Sequence, residues 1–111
     1  MSGTEESSGV SATEPVFSNN PDELRYEAVR DGALVGEIGY VADLGRIVLV
    51  HTQVASSEKG TGVGSFLVRS ALDDIRRRGL QVTPVCPFVS AYIKRHPEYG
   101  DLVSQDHGSG G

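Results

Sequence analysis

The stretch Lys59-Gly60-Thr61-Gly62-Val63-Gly64-Ser65 is the part of this sequence best suited to hold an anion. Three glycines in five positions remove side chains and permit positive φ, so backbone N–H groups can converge on one charged group. A helix-periodic segment follows at once, and its first turn adds unpaired N–H groups and the positive end of the helix dipole. Thr61 and Ser65 offer hydroxyl donors, and Lys59 a positive charge. That combination suits a pyrophosphate. Spacing excludes two familiar ways of binding one. A P-loop needs a lysine directly after its last glycine, whereas Ser65 follows Gly64. A dinucleotide fingerprint needs Gly-x-Gly-x-x-Gly inside a parallel βαβ unit, and this run has a different spacing after an antiparallel opening. The plain alternative is a connection with no ligand, in which each glycine costs about 0.5–1 kcal/mol relative to alanine without a backbone need.

Few other residues could do chemistry. His51 is the one group between Arg46 and Val54 able to act as a base near neutral pH. A hydrogen-bonded core histidine is the competing reading, and simple alternation puts His51 on one face with Leu49 and Gln53. Cys86 precedes a proline and a helical segment; as bare sequence it reads equally as a small buried apolar residue. His96-Pro97-Glu98-Tyr99 has the makings of an acid–base pair, but the proline favours a chain-turning unit with His96 at a helix C-terminus. His51, Cys86, His96 and His107 show no metal-ligand spacing, so no metal is expected.

The elements that must position these groups read as follows. Leu24–Val29 alternates loosely and leads into Asp31-Gly32, the signal of a tight hairpin turn. Ala33–Val41 continues as a strand, and Asp43-Leu44-Gly45 turns the chain again. Arg46–Val54 is the strongest strand, with apolar residues at 47, 48, 49, 50 and 54. Apolar residues on both its faces predict that it is covered on both sides. Val63, Leu67, Ala71 and Ile75 form a helical stripe widened by Val68 and Leu72. Asp73 with Arg77 and Asp74 with Arg78 are i,i+4 pairs, and Gly79 is the C-terminal cap. Leu80–Val85 is a short strand, and residues 88–95 a second helix stopped near His96 by Pro97. The order β-β-β-α-β-α describes an α/β domain with a mixed sheet.

The chain has 111 residues, 38% of them hydrophobic, enough for one core. Residues 1–19 are rich in Ser, Gly, Thr and Glu and are expected to be a disordered tail; residues 104–111 are expected to be another. The ordered domain is placed at 20–103. The net charge is −5, but residues 20–103 hold ten Lys/Arg against eleven Asp/Glu. That near-neutral body argues against broad nucleic-acid binding. The patch Arg76-Arg77-Arg78 with Lys94 and Arg95 reads as solvated helix ends. There is no apolar run long enough for a membrane span, and the first 14 residues lack the basic and apolar regions of a secretory signal. A single cysteine fits a reducing cytoplasm. Oligomeric state is not legible, and a monomer is the default expectation.

The run from Lys59 to Gly64 resembles the acyl-CoA loop of the GCN5-related N-acetyltransferases, written Arg/Gln-x-x-Gly-x-Gly/Ala. The longer pattern is similar to the small YjdJ-type, or NATD-like, subgroup. It rests on His51-Thr52-Gln53-Val54, the glycine loop, Pro84-Val85-Cys86-Pro87-Phe88-Val89 and His96-Pro97-Glu98-Tyr99, across residues 22–103. The resemblance implies a trimmed form of that fold, with acetyl-CoA as cofactor. It implies that backbone groups of Thr52, Gln53 and Val54 pair with the pantetheine arm. The pyrophosphate would then lie on the amides of Gly60, Thr61, Gly62, Val63, Gly64 and Ser65. Lys59 departs mildly from the pattern, keeping charge without the planar fork of arginine.

Acetyl transfer to an amine needs the amine deprotonated and the leaving thiolate protonated or stabilised. Larger relatives often place a glutamate on the strand before the loop, and this strand has no carboxylate. His51 is therefore the candidate base. Cys86 is a covalent carrier or a contact near the thioester, and direct transfer with Cys86 lining the site is the preferred expectation. Tyr92 stands where relatives often carry a tyrosine that protonates the thiolate, against the ordinary reading of a packed helical tyrosine. The expected activity is direct acetyl-CoA-dependent N-acetyl transfer to an amine of unknown identity. A non-catalytic acyl-CoA binder or sensor is the alternative, and a protein-interaction module using the arginine patch a third.

Overall fold

The computed structural model describes residues 14–103. Five strands form one sheet in sequence order: β1 (Val16–Asn20), β2 (Arg25–Arg30), β3 (Ala33–Asp43), β4 (Arg46–Val54) and β5 (Gln81–Pro84). The first four pair antiparallel, and β5 runs parallel to β4. Helix α1 (Val63–Arg77) makes the crossover between β4 and β5, and α2 (Pro87–Arg95) follows β5. A 3₁₀ segment, Pro97–Leu102, closes the described chain, with Val103 bridged to Val82.

Local chemistry accounts for the joints. Asp31 and Gly32 both have positive φ, at 52° and 80°, as a two-residue hairpin turn matched to strand twist requires. α1 ends in a Schellman cap: the Leu80 N–H reaches the Ile75 carbonyl at 3.0 Å, and the Gly79 N–H reaches the Arg76 carbonyl at 3.0 Å. Its predicted ion pairs are only half realised. Asp74 holds both Arg77 (2.8 Å) and Arg78 (3.1 Å), whereas Asp73 accepts a 2.8 Å hydrogen bond from the Tyr99 hydroxyl. Arg76 pairs with Asp101 at 3.0 Å and lies over the Tyr99 ring. Arg76 thus ties α1 to the C-terminal segment, while Arg77 and Arg78 pair within the helix's own last turns.

Two expectations need correction. The tail was placed over residues 1–19, yet Val16–Asn20 is an edge strand paired with β2. Phe17 stacks on Tyr26 at 5.3 Å, and Tyr40 donates a 2.6 Å hydrogen bond to Asn19. One aromatic anchor and one partnered amide thus order a segment too polar to show strand character by itself. The rest of both predicted tails, with His107, lies outside the described residues. Second, the described residues cover β4 on one face only. Both helices pack on the side lined by Tyr26, Ile38, Leu49 and Val82, in a single core. On the other side Val41 and Val50 are exposed, so the apolar run reflects sheet-interior position rather than two covering layers.

The closest contact between layers is at Gly36. A Cβ there would meet Leu67 Cδ1 at 2.8 Å and Val63 Cγ1 at 2.9 Å, which sets how near the start of α1 comes to β3. Gly36→Ala is expected to lower stability by about 1–3 kcal/mol through overpacking, read as a lower denaturant midpoint with unchanged slope.

Alkaline pH should also weaken the fold. Burial, reinforced by the Asp73 hydrogen bond, pushes the Tyr99 phenol up to about 12, and burial with the nearby Asp74 pushes Tyr26 up further. The folded state favours the neutral phenols, so this stability is complete below the ordinary phenol value of about 10 and is lost as pH climbs through about 12. Absorbance of phenolate with far-UV circular dichroism should show late tyrosine ionisation accompanying unfolding; ionisation of every tyrosine near 10 with the fold intact would contradict it.

Candidate functional site

The site begins where two neighbouring strands part. The last register pair of the β4–β5 ladder is Leu49 opposite Pro84. The Leu49 carbonyl accepts from both Val85 (3.1 Å) and Cys86 (2.9 Å), and the chain then turns into α2 at Pro87. β4 continues to Val54 with only β3 beside it. One backbone edge of Thr52, Gln53 and Val54 therefore faces a cleft of about 560 Å³.

The glycine loop forms the far end of that cleft. Ser56–Glu58 makes one 3₁₀ turn, after which Gly60 and Gly62 take φ of 83° and 93°, a region that side chains disfavour. Gly62 is the N-cap of α1, and no side chain caps the helix. The first helical bond is from the Phe66 N–H to the Gly62 carbonyl, so the amides of Val63, Gly64 and Ser65 lack an intrahelical acceptor. All three residues line the cleft. Gly64 also seats Phe88 from the start of α2, since a Cβ there would stand 2.9 Å from the ring.

The charges at this end are sorted by pairing. Glu58 borders the cleft, where a bare carboxylate would repel an anion, but it is ion-paired with Arg30 at the end of β2. Lys59 lines the cleft and is exposed. The Thr61 hydroxyl is spent inside the loop, donating to the Glu58 carbonyl at 2.6 Å. Of the two hydroxyls expected to serve a ligand, only that of Ser65 borders the cleft. The described residues fit an extended ligand with a pyrophosphate at one end: open strand edge, left-handed glycines, uncapped helix amides and a lysine.

The remaining candidates are distributed differently from the sequence reading. β3 and β4 slip register between Gly39 and Tyr40, which pair with His51 and Leu49, so Val50 is an extra residue on β4. That bulge reverses the alternation. Leu49 is fully buried, while His51 is exposed on the uncovered face, next to Thr52 but not itself in the cleft wall, so the two do not share a face as simple alternation predicts. The same bulge turns Thr52 toward the core side, where its hydroxyl lies 3.3 Å from the Cys86 sulfur. Cys86 is 4% exposed and stands behind Thr52 rather than in the cleft wall. Tyr92 is 5% exposed and stacks on His96 at 4.1 Å, one helical turn beyond Phe88 and outside the cleft wall. Burial raises its phenol above the ordinary range. His96 Nδ1 is 3.9 Å from Glu98 Oε2, a loose contact at the helix end. Among the described residues no cluster of ligands could hold a metal.

Phe88 and Glu58 were not singled out from sequence, though both border the cleft. An aromatic residue opening a helix after Cys-Pro, and a glutamate just before the glycine run, carry no distinctive spacing of their own.

Comparison with known proteins agrees with this geometry. The fold is similar to a GCN5-like putative N-acetyltransferase from Staphylococcus aureus, at 20% identity and a TM-score of 0.62, over 90% of this chain and 100% of that one. It is similar to a GNAT family acetyltransferase from Brucella melitensis in complex with acetyl-CoA, at 23% identity and TM-score 0.51, over 68% of this chain and 54% of that one. It also resembles the ribosomal-protein-S18-alanine N-acetyltransferase from Escherichia coli, at 18% identity and TM-score 0.51, over 58% and 43%. The chain thus spans about half of each larger relative and all of the small one. At these identities the likenesses establish the fold. The family model described as GCN5-related N-acetyl-transferase matches residues 25–102, from the first residue of β2 to the last of the 3₁₀ segment, and this chain belongs to that family.

Proposed function

We propose that this protein transfers the acetyl group of acetyl-CoA directly to an amine, with the cleft between β4 and β5 as the cofactor site and His51 as the base. The observation that carries the cofactor half is the parting of the strands at Leu49, which leaves the edge of Thr52, Gln53 and Val54 leading to the uncapped start of α1. Acetyl-CoA supplies an activated thioester. The amides of Val63, Gly64 and Ser65, with Lys59, hold its pyrophosphate, and the open strand edge of β4 receives the pantetheine. His51 takes a proton from the attacking amine as the C–N bond forms and the C–S bond breaks, and the thiolate leaves as the thiol after taking a proton. Cys86 keeps Thr52 in place behind the cleft, a role its burial and the 3.3 Å contact support over that of covalent carrier. The stacking of Tyr92 on His96 supports a packing role for it.

The small YjdJ-type subgroup is the finer assignment we favour. The complete overlap with one small relative supports it. We place the protein in the cytoplasm as a monomer. A free buried cysteine and ion-paired side chains on the uncovered face support that placement, and light scattering tests the monomer. The absence of a carboxylate on β4 between Arg46 and Val54 favours one second reading, a binder without turnover.

Acetyl-CoA titration should shift amide resonances of residues 52–65, and a flat titration at millimolar ligand would sink the proposal. Gly62→Ala should weaken binding about tenfold, because a left-handed alanine costs about 1–2 kcal/mol. Thiol release with a primary-amine library separates the two readings: His51→Ala should lower kcat about 10²-fold while acetyl-CoA binding stays intact. Binding without any thiol release by the unaltered protein would establish the binder.

A further inference from the structure

On the uncovered face of the sheet, β3 has a glycine where a strand interior normally disfavours one, and it lies directly opposite His51. Gly39 is absent from the glycines with positive φ, so its backbone does not demand glycine. What demands it is space. A Cβ at Gly39 would stand 2.3 Å from Cε1 of His51, 2.8 Å from Nδ1 and 2.9 Å from Nε2, far inside van der Waals contact. The N–C–N edge of the imidazole fills the place a side chain would take. The ring in turn covers Gly39, which is buried even though its face of the sheet carries no helix.

The extra residue at Val50 makes this pairing possible, since it brings His51 rather than Val50 opposite Gly39. The charged groups on the same face are held by one another. Arg25 on β2, the other register partner of Gly39, lies 2.7 Å from Glu27 Oε2. Its guanidinium is also 3.0 Å from Glu37 Oε1 on β3, an ion pair whose angle does not make a hydrogen bond. β5 presents no titratable side chain, and Arg46 is at the far end of β4. No ion pair competes for the His51 ring among the described residues, so its place is set by packing against Gly39.

We infer that Gly39 is a positioning residue for acetyl transfer, holding the His51 imidazole against β3 beside the point where β5 leaves β4. The inference rests on the reading of His51 as the base. The three atoms nearest such a methyl all belong to the rotatable His51 ring, so the ring swings away and the fold survives.

In the unaltered protein, NMR should show a nuclear Overhauser contact between His51 Hε1 and the Gly39 α-protons; its absence would overturn the seat without recourse to any variant. Gly39→Ala should keep a near-native melting curve and an unchanged KM for acetyl-CoA. Its kcat should fall about ten- to a hundredfold, as expected for a misplaced group. The acidic limb of its kcat/KM–pH profile should be displaced, and His51→Ala should remove that limb. The double variant should be no slower than His51→Ala, because Gly39 acts only through the ring. Losses that multiply in the double variant would overturn the inference. If His51→Ala lowers turnover and Gly39→Ala does not, the positioning claim alone falls. Full turnover in His51→Ala removes the base reading and the positioning claim with it.

Discussion

The parting of β4 from β5 after Leu49 is the constraint on which the rest of this small fold turns. A parallel pair normally continues until one strand ends, and here the chain after Pro84 turns into α2 at Pro87. Leu49 then serves two amides at once, which anchors the start of α2 against β4 while the strand runs on. The open backbone edge that results is a polar surface that must find a partner or water. In a domain of this size it can persist because it is short and lies at the surface.

The other contacts stabilise that opening from either side. Gly36 lets the start of α1 settle onto β3, so the helix amides arrive at the end of the open edge. Gly64 lets Phe88 bridge the start of α1 to the start of α2 across the cleft. The Arg30–Glu58 pair ties the loop back to the β2–β3 hairpin and removes a negative charge from the anion end. At the opposite end of α1, Asp74 and Arg76 fasten the helix to its own C-terminal turn and to the 3₁₀ segment. Polar contacts thus hold α1 at its C-terminal end, while its middle is held by the apolar core.

Economy on one face has a consequence on the other. With both helices on a single side, the second face of the sheet keeps Arg25, Glu27 and Glu37 in mutual contact and leaves His51 to pack on bare backbone. Hydrogen bonds from Asn20 and from Arg25 hold the Glu27 carboxyl below its ordinary range.

Much of this was legible from the sequence because it depends on local chemistry. Asp31-Gly32 specifies its turn, the Val63–Ile75 stripe its helix, and Gly79 its cap, each through contacts only a few residues apart. The glycine loop was legible as a left-handed turn running into a helix start. Other features depended on partners distant in the chain, and no local pattern reports them. Val16–Asn20 is a strand only because Tyr26 and Tyr40 meet it. His51 changed faces because one residue, Val50, bulges from the ladder, and a one-residue slip inverts alternation from that point on. Thr52 and Cys86, 34 positions apart, meet because that same slip turned Thr52 inward. The sequence by itself determined the two helices, the four strands after the first and the glycine turn between strand and helix, because turn chemistry and periodicity act over short range. Tertiary structure decided which side of the sheet each reactive group occupies, because register is settled between strands and not within one.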